Sequence, residues 1–184
     1  MAERPLCYYG NPVLRERCKP VEEFNEEIRQ VIDDLLDTIA HLDTQPRVNA
    51  VGLAAPQIGY TWRIFLTHVP VEDKSGKWHR GEVKVYVNPK ILSYSEEEKS
   101  WDEGCFSIPR LYAEVFRPQE IKIEAMDRDG NIFQETLTEF AACNFCHEHD
   151  HINGVLFIDR ISNSDKKRLK PLLKKLKKKY SSNP

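Results

Sequence analysis

The chain has 184 residues, with 27 Lys and Arg against 29 Asp and Glu, for a net charge of -2. That length suits one domain, residues 1–184, with a sizeable core, and the near-neutral balance excludes a general attraction to DNA or to a membrane surface. Nothing approaches an apolar run of membrane-spanning length, and the five cysteines are an odd number in a chain too long to need stapling, which points to reduced thiols or metal ligands.

The first ten residues carry no apolar h-region and no small-residue cleavage site, so a cytoplasmic protein is expected, although a processed organellar form would look the same. Ile28, Val31, Ile32, Leu35, Leu36, Ile39 and Leu42 recur at helical spacing, which predicts an amphipathic helix from about Glu22 to Leu42. Residues 43–49 are polar, contain Pro46 and read as a loop. The β-rich runs Trp62–Val69 and Glu82–Val87 flank a polar excursion, Glu72–Gly81, suited to a hairpin arm. A second hairpin is signalled where Ile121–Met126 and Ile132–Leu137 flank Asp127-Arg-Asp-Gly-Asn131. A helix is predicted from about Glu139 to Ile152, stopped by Asn153-Gly154, and followed by the short apolar run Val155–Ile158. Strands on both sides of this helix, without a βαβ rhythm, indicate an α+β fold with antiparallel or mixed sheets around a central helix.

The core is expected to end near residue 162. Beyond it, Leu169, Leu172, Leu173 and Leu176 form an apolar stripe on a basic helix at about 164–180, with Ser164 as N-cap and a kink or restart at Pro171. From Asn163 onward nine Lys and Arg face Asp165 alone, so the rest of the chain carries about -10. The plain reading docks the leucines and solvates the lysines. A functional reading adds an anionic partner such as RNA.

The predicted helix carries two overlapping motifs. From His147 forward it reads H-E-x-x-H, as in helix-borne metal hydrolases; from Cys143 to His147 it reads C-x-x-C-H, as in c-type haem attachment. One histidine cannot serve both, and haem attachment needs export to an oxidising compartment. On a helix, positions i and i+4 differ by about 40° in azimuth, so His147 and His151 face the same way and can share an ion. Glu148 lies about 100° round from His147, placed to exchange protons rather than to ligate. His149 points away and is expected to be structural or solvent-facing. On its own the motif also fits a helix with two half-exposed histidines and a surface glutamate.

A third ligand has to come from elsewhere. Gly154 stands at the metzincin glycine position, but Phe157 occupies the place of the third histidine, so that class fails. Glu103-Gly104-Cys105-Phe106-Ser107 offers a thiol after a glycine, where backbone can approach an ion closely. A lone cysteine is more often a small core residue, and becomes a favoured ligand only in company.

That company exists. Val51-Gly52-Leu53-Ala54-Ala55-Pro56-Gln57-Ile58-Gly59, Glu103-Gly104-Cys105-Phe106-Ser107 and His147-Glu148-x-x-His151 resemble, in order, the three signature motifs of peptide deformylases. The resemblance extends through Val87-Asn88-Pro89, Arg117-Pro118 and Gly154–Arg160, and so covers roughly residues 8–160. It implies one divalent ion, Fe(II) first, with Zn, Ni or Co able to replace it, held by Cys105, His147 and His151. A thiolate with two imidazoles suits that choice and leaves an open coordination position. It further implies Glu148 as proton shuttle, and the Gln57 side-chain amide and Phe106 backbone N–H as oxyanion donors. N-formylmethionyl peptides would lie as an added strand beside Val51, Gly52 and Gly104, with the methionine in a pocket near Phe140 and Cys143. The partner set expected is these peptides and, through the basic C-terminal helix, the ribosome, with a monomeric enzyme. Glu103 and Arg117 are candidates for an ion pair that fixes the cysteine loop.

Three positions depart from the family pattern. Ala50 stands where a glycine is usual, and would be strained if that site needs φ > 0. Residues 72–81 look like an insertion, and Cys146 replaces the usual glutamine before His147. Cys143 and Cys146 read first as small buried fillers; a sharper reading has Cys105, Cys143 and Cys146 converge on one site, where Cys143 either reshapes the pocket or makes the enzyme oxidation-sensitive. These departures keep open a second reading, a deformylase-like protein with altered substrate or lost activity.

Overall fold

The computed structural model describes residues 4–45 and 49–180. The N-terminal segment Cys7–Tyr9 is tied down by two backbone bonds, Cys7 N–H to Gln57 O at 2.7 Å and Tyr9 N–H to Ser107 O at 2.8 Å. Helix α1 spans Glu26–Thr44, beginning four residues later than the periodicity alone implies. Asn25 sets that start: its side-chain oxygen accepts the Ile28 N–H, satisfying one of the orphan donors of the first turn. The helix buries Ile28, Val31, Ile32, Leu35, Ile39 and Leu42.

Nine strands follow: β1 (Gly52–Ala54), β2 (Ile64–Thr67), β3 (Pro70–Glu72), β4 (Trp78–Arg80), β5 (Lys84–Tyr94), β6 (Glu98–Cys105), β7 (Ile108–Pro118), β8 (Glu120–Met126) and β9 (Ile132–Thr138). The main sheet has the order β1-β2-β5-β8-β9 and is antiparallel throughout; β3-β4 and β6-β7 form separate two-stranded ladders. The β3-β4 arm occupies the polar excursion, and the β8-β9 turn lies on Asp127, whose carboxylate accepts from Asp129 N–H and Asn131 N–H. Such side-chain-to-backbone bonds are why Asp opens so many turns.

Helix α2 runs Glu139–His151, and a single turn, α3 (Phe157–Arg160), follows it. This corrects the strand expected at Val155–Ile158. Among the described residues every strand precedes α2, because Asp159 caps the Leu156 N–H at 2.8 Å and winds that apolar run into a helical turn instead. Helix α4 (Asn163–Tyr180) runs unbroken through Pro171, and its first turn is capped by Ser162, which accepts the Asp165 N–H, rather than by Ser164. Of its leucine stripe, Leu169 is buried and Leu173 and Leu176 pack on the body, whereas Leu172 is 41% exposed.

The main sheet is sandwiched. One face packs on α1 through Leu53, Leu66, Val85 and Val87. The other packs on α2, where the rings of Phe65, Tyr86 and Phe145 meet with centroids 5.0–5.2 Å apart. The β6-β7 ladder packs with α3 and α4 as a third cluster. α2 is therefore covered on nearly every side, and its polar residues must find partners inside the protein.

Gly154 makes the turn out of α2 possible. Its φ is +73°, and a Cβ there would stand 2.5 Å from the Arg15 carbonyl oxygen. Gly154→Ala is expected to cost about 2 kcal/mol or more through backbone strain and that clash, read as a fall in chemical-denaturation midpoint.

Candidate active site

α2 presents His147 and His151 one turn apart, and β6 ends at Cys105 opposite them. The ligand atoms of these three side chains all lie within 4.8 Å of one another, with Cys105 Sγ 3.3 Å from His151 Nε2. His147 directs Nδ1 at Glu103 Oε2, 2.7 Å away, which leaves Nε2 as the ring atom free to bind. Glu148 Oε2 and His151 Nδ1, both buried on α2, have no hydrogen-bond partner among the described residues. A thiol, two imidazoles and an unpaired buried carboxylate oxygen make a donor set that fits a borderline divalent ion and a water beside it. Burial pushes the Glu148 carboxyl up to about 7, with Glu103 adding to the rise and His147 opposing it.

Gln57 sits in the 3₁₀ turn Ala55–Ile58, locked by its own amide. Its Oε1 accepts the Ala54 N–H at 2.8 Å, so its Nε2 is aimed at Ser107 Oγ (3.3 Å) and Cys105 Sγ (3.5 Å). Gly52 is where the first motif touches the helix: a Cβ there would lie 2.5 Å from Glu148 Oε1. At Gly104 a Cβ would lie 2.4 Å from the Tyr112 ring. Both glycines serve close approach. His147, Glu148, Cys105, Gln57 and Phe106 all border one cleft of about 580 Å³.

A sequence model of polypeptide deformylases matches residues 3–167. The chain belongs to the polypeptide deformylase family. It is 40% identical to the peptide deformylase of Thermotoga maritima over 84% of each chain. It is 37% identical to the chloroplastic/mitochondrial peptide deformylase 1B of Arabidopsis thaliana over 94% of this chain, and spans 59% of that protein's length. A crystal structure of a peptide deformylase from Legionella pneumophila superposes over 100% of both chains, with TM-score 0.79 and 36% identity. The fold is thus the α+β deformylase architecture.

Within this deformylase scaffold the other residues expected at the site fall as follows. Val51, Gly52, Gly104, Phe140 and Cys143 all line the cleft, and Trp101 packs on Phe140 with ring centroids 5.6 Å apart. Glu103 and Arg117 do pair: Arg117 Nε donates to Glu103 Oε1 at 2.7 Å and Nη2 to Oε2 at 3.0 Å. Burial alone would raise the Glu103 carboxyl, but hydrogen bonds from His147 and Arg117 outweigh it and hold it at about 2. Ala50 is not strained. Among the described residues the non-glycines with positive φ are Asn88, Arg110 and Glu139, and Ala50 instead donates to Asp43 and accepts from Arg80.

The expected convergence of three thiols is reduced to two. Cys146 lies in the core cluster with Phe65 and Phe145, out of the cleft. Burial, ahead of the Glu103 charge, raises the Cys143 thiol well above its ordinary range, and burial pushes Cys146 up to about 11. Burial thus favours the neutral thiol at both positions, the opposite of the low-pKa environment that activates a cysteine. A buried Cys146 is equally out of reach of a haem. His149 stacks on Phe145, and burial, with the Arg63 charge, holds it neutral at about 4.

Three participants escaped the sequence reading. Asn144 Nδ2 donates to Val51 O at 2.6 Å, tying the peptide-side loop to α2. Asp150 receives Arg117 Nη1 at 2.7 Å. Tyr180, at the end of α4, stacks on Tyr8 at 4.0 Å, and both rings border the cleft.

Glu103, Arg117 and Asp150 form a buried charged triad, with side chains only 4–8% exposed. Removing its centre strips the buried Glu103 of its guanidinium and leaves the buried Asp150 with Arg160 alone. Arg117→Ala is therefore expected to lose about 3–5 kcal/mol in urea denaturation, and Arg117→Lys to recover little, because an ammonium cannot reproduce the two-armed contact.

Proposed function

We propose that this chain hydrolyses the N-formyl group from the N-terminal formylmethionine of nascent peptides, releasing formate and a free amino terminus. The observation that carries this reading is the meeting of the Cys105, His147 and His151 ligand atoms within 4.8 Å, beside the unpaired Glu148 oxygen. Those three side chains would hold one divalent ion, Fe(II) first, with Zn, Ni or Co as substitutes. When bound, the ion polarises the formyl carbonyl and acidifies water.

Glu148, held near neutrality by burial, takes the proton from the attacking water and delivers it to the departing amine nitrogen. The Gln57 Nε2 amide, fixed by its Ala54 bond, and the Phe106 backbone N–H donate to the oxygen that becomes negative as the carbonyl carbon turns tetrahedral. The backbone of Val51, Gly52 and Gly104 flanks the peptide as an added strand, and Phe140 and Cys143 receive the methionine side chain. A neutral, buried Cys143 suits an apolar pocket. Gly52, where a Cβ would lie 2.5 Å from Glu148 Oε1, lets the loop close directly onto that glutamate.

The chain loaded anaerobically with Fe(II) is expected to release formate from formyl-Met-Ala-Ser. Glu148→Gln should lower kcat by about 10²-fold or more with metal content unchanged. No formate from the unaltered chain would shift the reading to a deformylase-like protein with another substrate.

The outer face of α4 carries Lys167, Lys170, Lys174 and Lys178, all exposed, on a helix anchored by Leu169. We infer an anionic partner for it, the ribosome near the emerging chain, with the enzyme itself a monomer. Changing these four lysines to Glu should abolish salt-sensitive co-sedimentation with ribosomes while leaving formate release from the tripeptide intact.

A further inference from the structure

The triad behind His147 does not end at Asp150. Arg160, in the turn α3, closes on it in a two-armed contact: Nη2 to Oδ1 at 2.5 Å and Nε to Oδ2 at 2.9 Å. A continuous chain of bonds results. Arg160 fixes both oxygens of Asp150; Asp150 Oδ2 accepts Arg117 Nη1; Arg117 clamps both oxygens of Glu103; and Glu103 Oε2 receives His147 Nδ1. The inner members are buried, with side chains at most 10% exposed, while the Arg160 side chain is 48% exposed. Asp150 and His147 share helix α2, so Arg160 ties the segment after the helix to the ligand-bearing helix and to β6 at once.

We propose that Arg160 is a positioning residue for the metal site, acting through Asp150, Arg117 and Glu103 on the orientation of the His147 ring. The physical reason is rotational. Among the described residues Asp150 Oδ1 bonds Arg160 alone, so without it the carboxylate is held on one edge and can turn away from Arg117. Arg117 then loses the anchor for Nη1, and its two-armed hold on Glu103 is free to rock. Glu103 is the acceptor that selects the His147 tautomer and sets the direction of Nε2, and such outer partners of ligating histidines commonly govern metal affinity. α3 is itself well fixed for this task, since Phe157 is buried and Asp159 is both a cap and the partner of Arg15. The competing reading is an ordinary half-exposed ion pair with little energetic consequence.

This inference rests on the reading of Cys105, His147 and His151 as ligands, and its test separates the two. The full chain is loaded with Co(II); its visible spectrum and thiolate-to-cobalt absorption are recorded, and release to excess chelator is timed. Arg160→Ala and Arg160→Gln are expected to release Co(II) about tenfold faster, with shifted bands, and Arg160→Lys to fall between them and the unaltered chain. Arg168→Ala, which breaks an exposed pair on α4 with no link to Glu103, should release at the original rate. In an Asp150→Asn background, Arg160→Ala should add nothing, since the relay is already cut. Release from Arg160→Ala and Arg160→Gln within about twofold of the unaltered chain and with identical bands, or full additivity with Asp150→Asn, overturns the proposal. If Arg160→Ala fails to fold, Arg160→Gln and Arg160→Lys decide it by the same criteria. An unaltered chain that shows no thiolate band with Co(II) overturns the ligand assignment itself, and this proposal with it.

Discussion

One buried guanidinium organises this molecule. Arg117 lies on the inward face of β7, where the alternation Leu111, Ala113, Val115 leads to an apolar residue, and there it joins β6 to α2. A cation in that place is costly to desolvate, and only two carboxylates with bonds to every edge of the fork make it tolerable. Because the carboxylates come from different elements, satisfying Arg117 also fixes how the cysteine-bearing ladder sits against the histidine-bearing helix. The stability requirement and the site geometry are the same requirement. Burial would push Glu103 towards neutrality, and the pairing reverses that, so His147 is always offered a charged acceptor.

The opposite side of the site is arranged by subtraction. Gly52 lets the β1 loop come within contact of Glu148, and Gly104 admits the Tyr112 ring. Asn144 then pulls Val51 onto the same helix, and Gln57 spends its acceptor on Ala54 so that its donor faces Cys105. These contacts fix how a sheet edge, a turn and a helix meet at the site. Their precision comes from hydrogen bonds made at close range, while bulk cohesion is left to the two aliphatic and aromatic faces of the sheet.

Much of this was legible in the sequence, for identifiable reasons. The i, i+4 histidines follow from helical geometry alone, and the α1 stripe and the Asp127 turn are local signals that tertiary context did not override. What failed was also physical. Val155–Ile158 reads as a strand by composition, but a cap from Asp159 outweighs β-propensity in four residues. The start of α1 moved to Asn25 because one capping bond settles a boundary that periodicity leaves loose. Asp150 and Arg160 carry no periodic mark, and their roles depend on a pairing between residues 33 and 10 positions apart along the chain.

The departures from the family pattern sort by what each side chain touches. Ala50 keeps an ordinary backbone because its N–H and C=O are taken by Asp43 and Arg80, the latter delivered by the β3-β4 arm. The β3-β4 arm thus orders the backbone at Ala50 by hydrogen bonding, without any demand for a positive φ there. Cys146 is buried and outside the cleft lining, about 100° round α2 from His147, on the flank of the helix where Arg117, Asp150 and Arg160 act on it. Burial keeps this thiol neutral, and a neutral thiol fills such a place without requiring a hydrogen-bond partner. The cysteine that made the histidine motif ambiguous by sequence is therefore a small buried side chain beside the Asp150–Arg117 pairing, and helical geometry keeps it off the face that His147 and His151 share.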